Sequence, residues 1–577
     1  MPSLGRLRRL RSRATALALA LAVAALAVPA GAAAKPRVYA VGNASNNVAA
    51  LDIGSGGLLT PVPGSPFAAG TNADSIAMTP DGRRAYVVNA GTIPPSVSAY
   101  NVTATGALTP IAGVFYVGAL PLGNAVTPSG QFMYVNNRDS GDVSAFEIHG
   151  TGAMTVVPGS PFPVGGLPVG IAVAADGRFL YTQNLEGTVS ALAIGADGTL
   201  GTVPGSPFAG GGKEPWAGAV SPDGRFLYVA NLGSNDISAF AIAPNGSLTL
   251  LPGFPVASGG AETNGIAVSP DGRRLYAMNS ATIGSFAISA SGALEPLPSA
   301  PVPAGSPARS GAVTPDGTRL YVAAFAKGKA VLGFGIDPPG TLAPLSGSPF
   351  EAGIDNPDVQ ALAIAPNQGP TASFGSSVCG TGTVAFDGAA SSDPDGTVSR
   401  YDWDFGDGSG APDGGVAPSH TYKASGTYPV TLTVTDDEGC SASVVYTGQT
   451  ASCNGGPAAR FRADVKVDLP LPARKPKLKL RGPKVQKLGR WIVVRAVADV
   501  DTRLVVSGRL RGVKLVKRVA AAKAGKAVKL KLKVPKRARR VAARALVRGG
   551  KVRARLIVKA RAGGKTGKAK RTVRLTR

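Results

Sequence analysis

Residues 221–252 read SPDGRFLYVANLGSNDISAFAIAPNGSLTLLP. Pro222-Asp223-Gly224 is a tight turn, because glycine tolerates positive φ and Pro and Asp favour turn geometry. The small, apolar Ala217–Ser221 precedes it and the β-rich Phe226–Ala230 follows. A polar loop from Asn231 leads into a third apolar run, Ile237–Ile242. Pro244-Asn245-Gly246 turns the chain into a fourth, Leu248–Leu251. Four short strands joined by turns within about 40–50 residues is the pattern of one propeller blade.

Working outward, the unit occurs seven times. Tyr39, Tyr86, Tyr134, Tyr181, Tyr228, Tyr276 and Tyr321 mark it, with separations of 47, 48, 47, 47, 48 and 45 residues. A fixed period of this length denotes a repeat architecture. The third strand recurs as VAAL (48–51), VSAY (97–100), VSAF (143–146), VSAL (189–192), ISAF (237–240), IGSF (283–286) and VLGF (331–334). Small residues between apolar ends let neighbouring sheets approach closely. The first unit starts at Arg37 with its second strand, and an orphan strand, Val359–Ala365, follows the last unit. The arithmetic predicts seven blades, with the orphan completing the first.

On these residues, 37–368 resemble the YVTN-type, lactonase-like seven-bladed propellers, which include bacterial 6-phosphogluconolactonase. The resemblance rests on PDGR-[FL]-LYV-x-N followed by [VI]-SAF, as in Pro222–Asn231 and Ile237–Phe240. It implies the fold, and it raises lactone hydrolysis as one reading of the ring's mouth. A fold alone does not fix an activity.

The remaining chain reads as further segments. Residues 1–34 have five arginines, an Ala/Leu/Val run at 14–28 and small residues at 30–34. That is a secretory signal peptide, too short for a membrane span, and it predicts a secreted or cell-surface protein. The propeller is expected at 35–368. At 369–453 the stretch AFDGAASSDPDGTVSRYDWDFGDG, followed by HTYKASGTYPVTLTVTD, resembles a PKD (polycystic-kidney-disease) domain, an Ig-like β-sandwich. The resemblance implies a spacer or surface-binding module. Val430, Leu432 and Val434 alternate on one strand face. Trp403 and Phe405 also share a face and are expected in the core. Cys379, Cys440 and Cys453 all lie here, and an exported chain is expected to form one disulfide among them. Three pairings are open. Residues 454–475 read as a linker.

From 476 to 577 the chain is basic. Residues 454–577 hold 40 of the 61 Lys and Arg but only four acids, a net +36, whereas 35–453 carry −14. WIVVRAV (491–497), LVVSGR (504–509), VKLKLKV (528–534), VRARLIV (552–558) and RTVRL (571–575) alternate apolar with polar or basic residues, as half-buried strands do. KRARRVAARALVR (536–548) after Pro535 reads as a short amphipathic helix. The fold class is therefore all-β: a seven-bladed propeller, a PKD sandwich, and a small basic β-sandwich-like domain with one short helix. Such charge attracts any polyanion. Base-stacking aromatics are scarce, Trp491 being the one beyond Phe461, so no specific nucleic acid is expected. An anionic cell-envelope polymer or lipid surface is the expected partner of 476–577.

Catalytic motifs are few. The two histidines are expected in ordinary roles, His149 solvated and His420 bonding backbone, and neither lies in a G-x-S-x-G context. HExxH, P-loop and Rossmann patterns are missing. A functional site is expected at the mouth of the ring. The catalytic candidates for lactone hydrolysis are Glu214 or Glu262 as base, with Arg309 to hold the oxyanion. The ligand-binding candidates are Trp216, Asp74, Asn124, Asn264 and Asp358, for a carbohydrate or protein ligand. No cofactor or metal is expected. The one cation considered is calcium, at Asp393, Asp395, Asp402, Asp404 and Asp407 of the PKD module, against the plainer reading that Asp-Gly pairs build turns. The expectation overall is a binding or scaffold protein, with an extracellular lactonase-like hydrolase as the alternative.

Overall fold

The computed structural model describes residues 36–577 apart from 299–300, 359, 380–381 and 470–473. The signal expected at 1–34 lies outside the described residues, as does Val359. The chain divides into two compact units, one ending at Val467 and the other beginning at Asp468.

In the first unit, seven sheets repeat one strand order. In blade 5, Pro215–Val220, Phe226–Asn231, Asp236–Ile242 and Leu248–Leu250 pair from the inside outward. A fifth strand, Val256–Ala257, also pairs with the third, Ile237 lying opposite Val256. Two residues carry no periodicity, and the sequence reading lacked this strand. The Pro-Asp-Gly turn holds itself together. Ser221 Oγ donates to Asp223 at 2.6 Å and accepts the Phe226 N–H at 3.0 Å. Leu362–Ile364 lies innermost in blade 1, with Val38 opposite Ile364 and Ala40 opposite Leu362. The orphan strand does seal the ring.

The seven marker tyrosines are fully buried. Each hydroxyl donates to a glycine carbonyl of the next blade, at 2.8–3.3 Å, from Tyr39 to Gly106 onward. These turn glycines have positive φ, +84° at Gly106, which a side chain would strain. The residue that phases the repeat is thus a rivet between blades. Burial pushes the phenols above their ordinary range, Tyr321 to about 12.

The PKD sandwich packs Trp403, Phe405, Phe386 and Phe374 between its sheets, with Val430, Leu432 and Val434 fully buried. The disulfide joins Cys440 and Cys453, whose Cα atoms are 5.6 Å apart, and Cys379 is an exposed free thiol. The linker expected at 454–475 needs correction. Arg460–Val467 is a strand, paired with Gly426–Asp436 from Gly426 opposite Val467 to Thr433 opposite Arg460.

The second unit packs a three-stranded sheet, Leu478–Arg481, Trp491–Ala498 and Ala527–Lys533, and a six-stranded sheet around one core. The six-stranded sheet centres on Thr502–Leu510, Val552–Ala562 and Lys565–Thr576. Ile492, Val494, Leu504, Val506, Leu530, Leu556 and Val573 are buried inside, while intervening positions carry the cations outside. The helix Lys536–Val547 follows Pro535 and buries Ala538 and Ala542. No described helix is long and apolar enough to cross a membrane.

Candidate functional site

Six of the seven inner strands, those of blades 2 to 7, enter the ring with a kink. Pairing register slips between Ala73 and Ile76, Pro121 and Asn124, Pro168 and Gly170, Pro215 and Ala217, Thr263 and Gly265, and Ala308 and Ser310. A bulge turns its extra side chain out of the ladder. The residues so placed include Asp74, Leu122, Val169, Trp216, Asn264 and Arg309. Gln360 stands at the matching place in blade 1, before Ala361-Leu362.

These side chains divide the mouth into two arcs. Leu122 and Val169, from blades 3 and 4, pack with Trp216 of blade 5 and with Leu120 and Leu185. The other arc is polar. Arg309 Nη1 donates to Asn264 Oδ1 at 2.7 Å, and Asn264 Nδ2 donates to the Glu262 carbonyl at 2.7 Å. The Arg309 guanidinium lies 5.2 Å over the Phe325 ring, and its buried Nε has no partner among the described residues. Asp74 is 3% exposed and accepts Asn43 Nδ2 at 2.7 Å. Burial first, then the charge of Asp358, push its carboxyl up to about 7 against the pull of the Asn43 bond.

Gln360 forms a bar across the ring. From blade 1 its Nε2 donates to the Ile171 carbonyl of blade 4 at 3.0 Å, and the side chain is buried. A side chain at Gly123 would collide with its Oε1.

The opposite end of the channel is stoppered by the PKD module. Val444–Tyr446 and Ala451–Asn454 form a hairpin whose tip is Thr447–Thr450. The tip meets one blade per residue. The carbonyls of Thr447, Gly448 and Gln449 accept the N–H groups of Val220, Val173 and Val126 at 3.0, 2.7 and 3.1 Å. Thr450 Oγ1 accepts the Met78 N–H at 3.1 Å. These four donors end the inner strands of blades 5, 4, 3 and 2. Tyr446 donates to the Val126 carbonyl at 2.5 Å, and burial pushes its phenol well above the ordinary range. Gly448 has φ +127°, and a Cβ there would sit 3.1 Å from Ala172 Cβ. A cavity of about 70 Å³ remains beside the tip, against Gly218, Ile266, Gly311 and Leu362.

The predicted residues fall into separate groups. Asp74, Trp216, Asn264 and Arg309 line the mouth, and Asp358 acts on Asp74. Asn124 is fully buried in the wall, its amide donating to the Tyr86 carbonyl at 2.9 Å. Glu214 and Glu262 sit in left-handed loop conformations, φ +52° and +53°, and both are exposed. Glu214 lies against Gly233, where a Cβ would fall 2.9 Å from its Cδ. Arg309 bonds Asn264 rather than either carboxylate, so base and oxyanion holder are not brought together. Of the PKD aspartates, Asp402 pairs with Arg400, Asp404 accepts the Gly406 N–H, and Asp407 takes Ser409 and His420. His420 thus bonds a carboxylate, not backbone, and stacks on Phe405 at 4.3 Å. Asp393 and Asp395 lie apart from these, close to Asp436 and Asp437. Among the described residues no group of three or more His, Cys, Asp or Glu is arranged to hold a metal ion.

Comparison with known proteins places this geometry. The model of the family "Lactonase, 7-bladed beta-propeller" matches residues 30–165 and 158–323. The chain belongs to this lactonase propeller family. The PKD domain model matches residues 367–450. The solved structure of a candidate 6-phosphogluconolactonase from Bacteroides uniformis aligns over 57% of this chain and 99% of its own, at 19% identity and TM-score 0.51. A second, from Bacteroides fragilis, gives 20% identity over 57% and 98%, at TM-score 0.50. At that identity the likeness shows the fold alone. Among curated proteins, the microbial collagenase of Vibrio alginolyticus is 37% identical over 73 residues, 13% of this chain and 9% of its own. Collagenase ColA of Clostridium perfringens is 45% identical over 56 residues, 10% of this chain and 5% of its own. This chain thus spans a tenth or less of the length of these curated relatives.

Sequence reasoning had no sign of Gln360 or of the stopper. The bulge residues had a faint one, a position of changing type after Pro121, Pro168 and Pro215 in an otherwise regular repeat.

Proposed function

We propose that this lactonase-family propeller is a binding protein of the cell exterior, with the mouth as its recognition site and residues 476–577 as its attachment to anionic envelope material. The observation that carries the reading is the charge of the second unit, where 37 Lys and Arg face three Asp on a folded sandwich. Uncompensated charge of one sign raises the local concentration of its counterion and weakens steeply with salt. A disulfide and a PKD module suit an oxidising compartment. The PKD module serves as stopper as well as spacer, so a ligand reaches the channel only from the Asp74 side. There the apolar arc offers Trp216 for a sugar face, and Arg309 offers a cation that donates to the neutral amide of Asn264. The test is retention on isolated envelopes. Salt should release the protein, and deleting 476–577 should abolish retention; unchanged retention refutes the attachment.

The second reading, a lactonase-like hydrolase, is favoured by Asp74. A general base works best with a pKa near the operating pH, and this carboxyl is pushed to about 7. Lactone turnover lost in Asp74→Asn and kept in Glu214→Gln and Glu262→Gln would support it.

A further inference from the structure

The outer face of the six-stranded sheet sets like charges directly against one another. Thr502–Leu510, Val552–Ala562 and Lys565–Thr576 run side by side and antiparallel. Arg503 lies opposite Arg561, Arg509 opposite Arg555, and Lys559 opposite Lys568. All six are exposed. Like charges directly opposite on an antiparallel pair destabilise it. The register cannot relieve them, because a one-residue slip would expose Leu504, Leu556 and Val558 and bury the cations. Acidic partners are engaged elsewhere. Asp499 accepts the Lys477 N–H and pairs with Arg474, while Asp501 accepts the Ala524 N–H and pairs with Lys523. Outer positions along a strand recur every ~6.6–6.8 Å and strands lie ~4.7–4.9 Å apart, so Arg553, Arg555, Lys559 and Arg561 spread over ~27 Å of the face, interrupted by Ile557.

We infer that this face is the docking surface for a linear polyanion, a polymer of repeated phosphodiester or carboxylate groups lying along the strands between paired cations. The inference rests on the attachment reading above and gives it a face and a ligand class. Charge complementarity carries it: each like-charged pair loses its repulsion only when an anion sits between its members. A polymer fits better than a bilayer. The face presents Arg and Lys, not the Trp, Phe and Leu that enter acyl chains, and the exposed Trp491 belongs to the other sheet.

The test uses the full chain and titrates polygalacturonate and linear polyphosphate at low salt. Lys568→Glu turns one like pair into an opposite pair with Lys559. It should raise the unfolding midpoint and yet weaken polymer binding roughly tenfold, with a shallower salt dependence because fewer counterions are released. Adding Lys559→Glu should return the midpoint toward wild type and leave binding lost. Arg544→Glu makes the same charge change on the helix and should alter affinity less than twofold. Equal weakening by Arg544→Glu would overturn the assignment to this face. Binding to phosphatidylglycerol vesicles but to neither polymer would overturn the polymer and leave the attachment reading standing. Binding to none of the three would overturn both.

Discussion

The hydroxyl of Tyr321 donates to the carbonyl of Gly57, 2.8 Å away and 264 residues earlier in the chain. Six equivalent bonds join blades that are neighbours in sequence; this one joins the last blade to the first. The adjoining sheet is closed by Leu362–Ile364 against Arg37–Gly42. The seam of the ring is therefore held by a side-chain rivet on one side and a backbone ladder on the other.

Removing the rivet should cost stability without altering shape. Tyr321→Phe leaves the ring in place but strands the Gly57 carbonyl, a loss of about 1–3 kcal/mol. Denaturant unfolding should show a lower midpoint at an unchanged m-value. An unmoved midpoint would mean that water or another donor satisfies Gly57 and that the seam does not depend on the phenol.

The stopper should respond to its disulfide. Cys440 and Cys453 close the base of the hairpin whose tip meets Val220, Val173, Val126 and Met78. Reduction frees the hairpin ends and lowers the cost of withdrawing the tip. Amide exchange at Val126, Val173 and Val220 should then accelerate, while Tyr228 in the second strand of blade 5 stays protected. Gly448→Val should give the same pattern without reductant, since its side chain would press on Ala172 at a φ of +127°. Unchanged exchange in both would show that the tip bonds contribute nothing to closing the channel.

Carboxylates gathered near the base of the PKD module set a pH dependence. Burial and mutual repulsion push Asp393 to about 7 and Asp395 to about 6, and burial with neighbouring charges pushes Glu438 to about 8. Each folded value exceeds the ordinary carboxylate value of about 4. Protons therefore bind the folded state more tightly. The stabilisation is complete below about pH 4 and is lost as pH rises through about 6 to 8. Asp393→Asn should raise the melting midpoint at pH 8 and raise it much less at pH 5. A midpoint that climbs between pH 5 and 8 in the wild type would contradict this sign.

The ring was legible because its determinants are local and repeated. Pro222-Asp223-Gly224, Tyr228 and the small residues around Ala239 do the same work in every blade, so period alone exposes them. Repetition hides the mouth for the same reason. Asp74, Leu122, Val169, Trp216, Asn264 and Arg309 occupy one structural place with different chemistry, and only the bulge geometry groups them. The tip Thr447–Thr450 left no pattern, since it docks through three carbonyls that any residue would supply. Arg460–Val467 passed for linker because its exposed positions, Arg460, Arg462 and Lys466, match the basic composition that follows. Glu214 and Glu262 drew attention as acids in mouth loops, yet both residues are exposed and the Arg309 side chain donates to Asn264.

Asp74 offers the sharpest test of the mouth, because its two neighbours act in opposite directions. Burial is the leading cause of its raised value, the charge of Asp358 adds to it, and the Asn43 hydrogen bond opposes it by stabilising the carboxylate. Followed by carbon NMR of the side-chain carboxyl, Asp74 should titrate near 7 in the wild type. Asp358→Asn removes a like charge and should lower that midpoint, although burial keeps it above the ordinary range of about 4. Asn43→Ala removes the donor and should raise it. Any ligand that binds the polar arc through an ionised Asp74 will then bind more weakly below the midpoint and recover above it, shifting with each variant. A midpoint that moves the same way in both variants would mean that the carboxyl is open to solvent and that the mouth does not hold it as a buried acid.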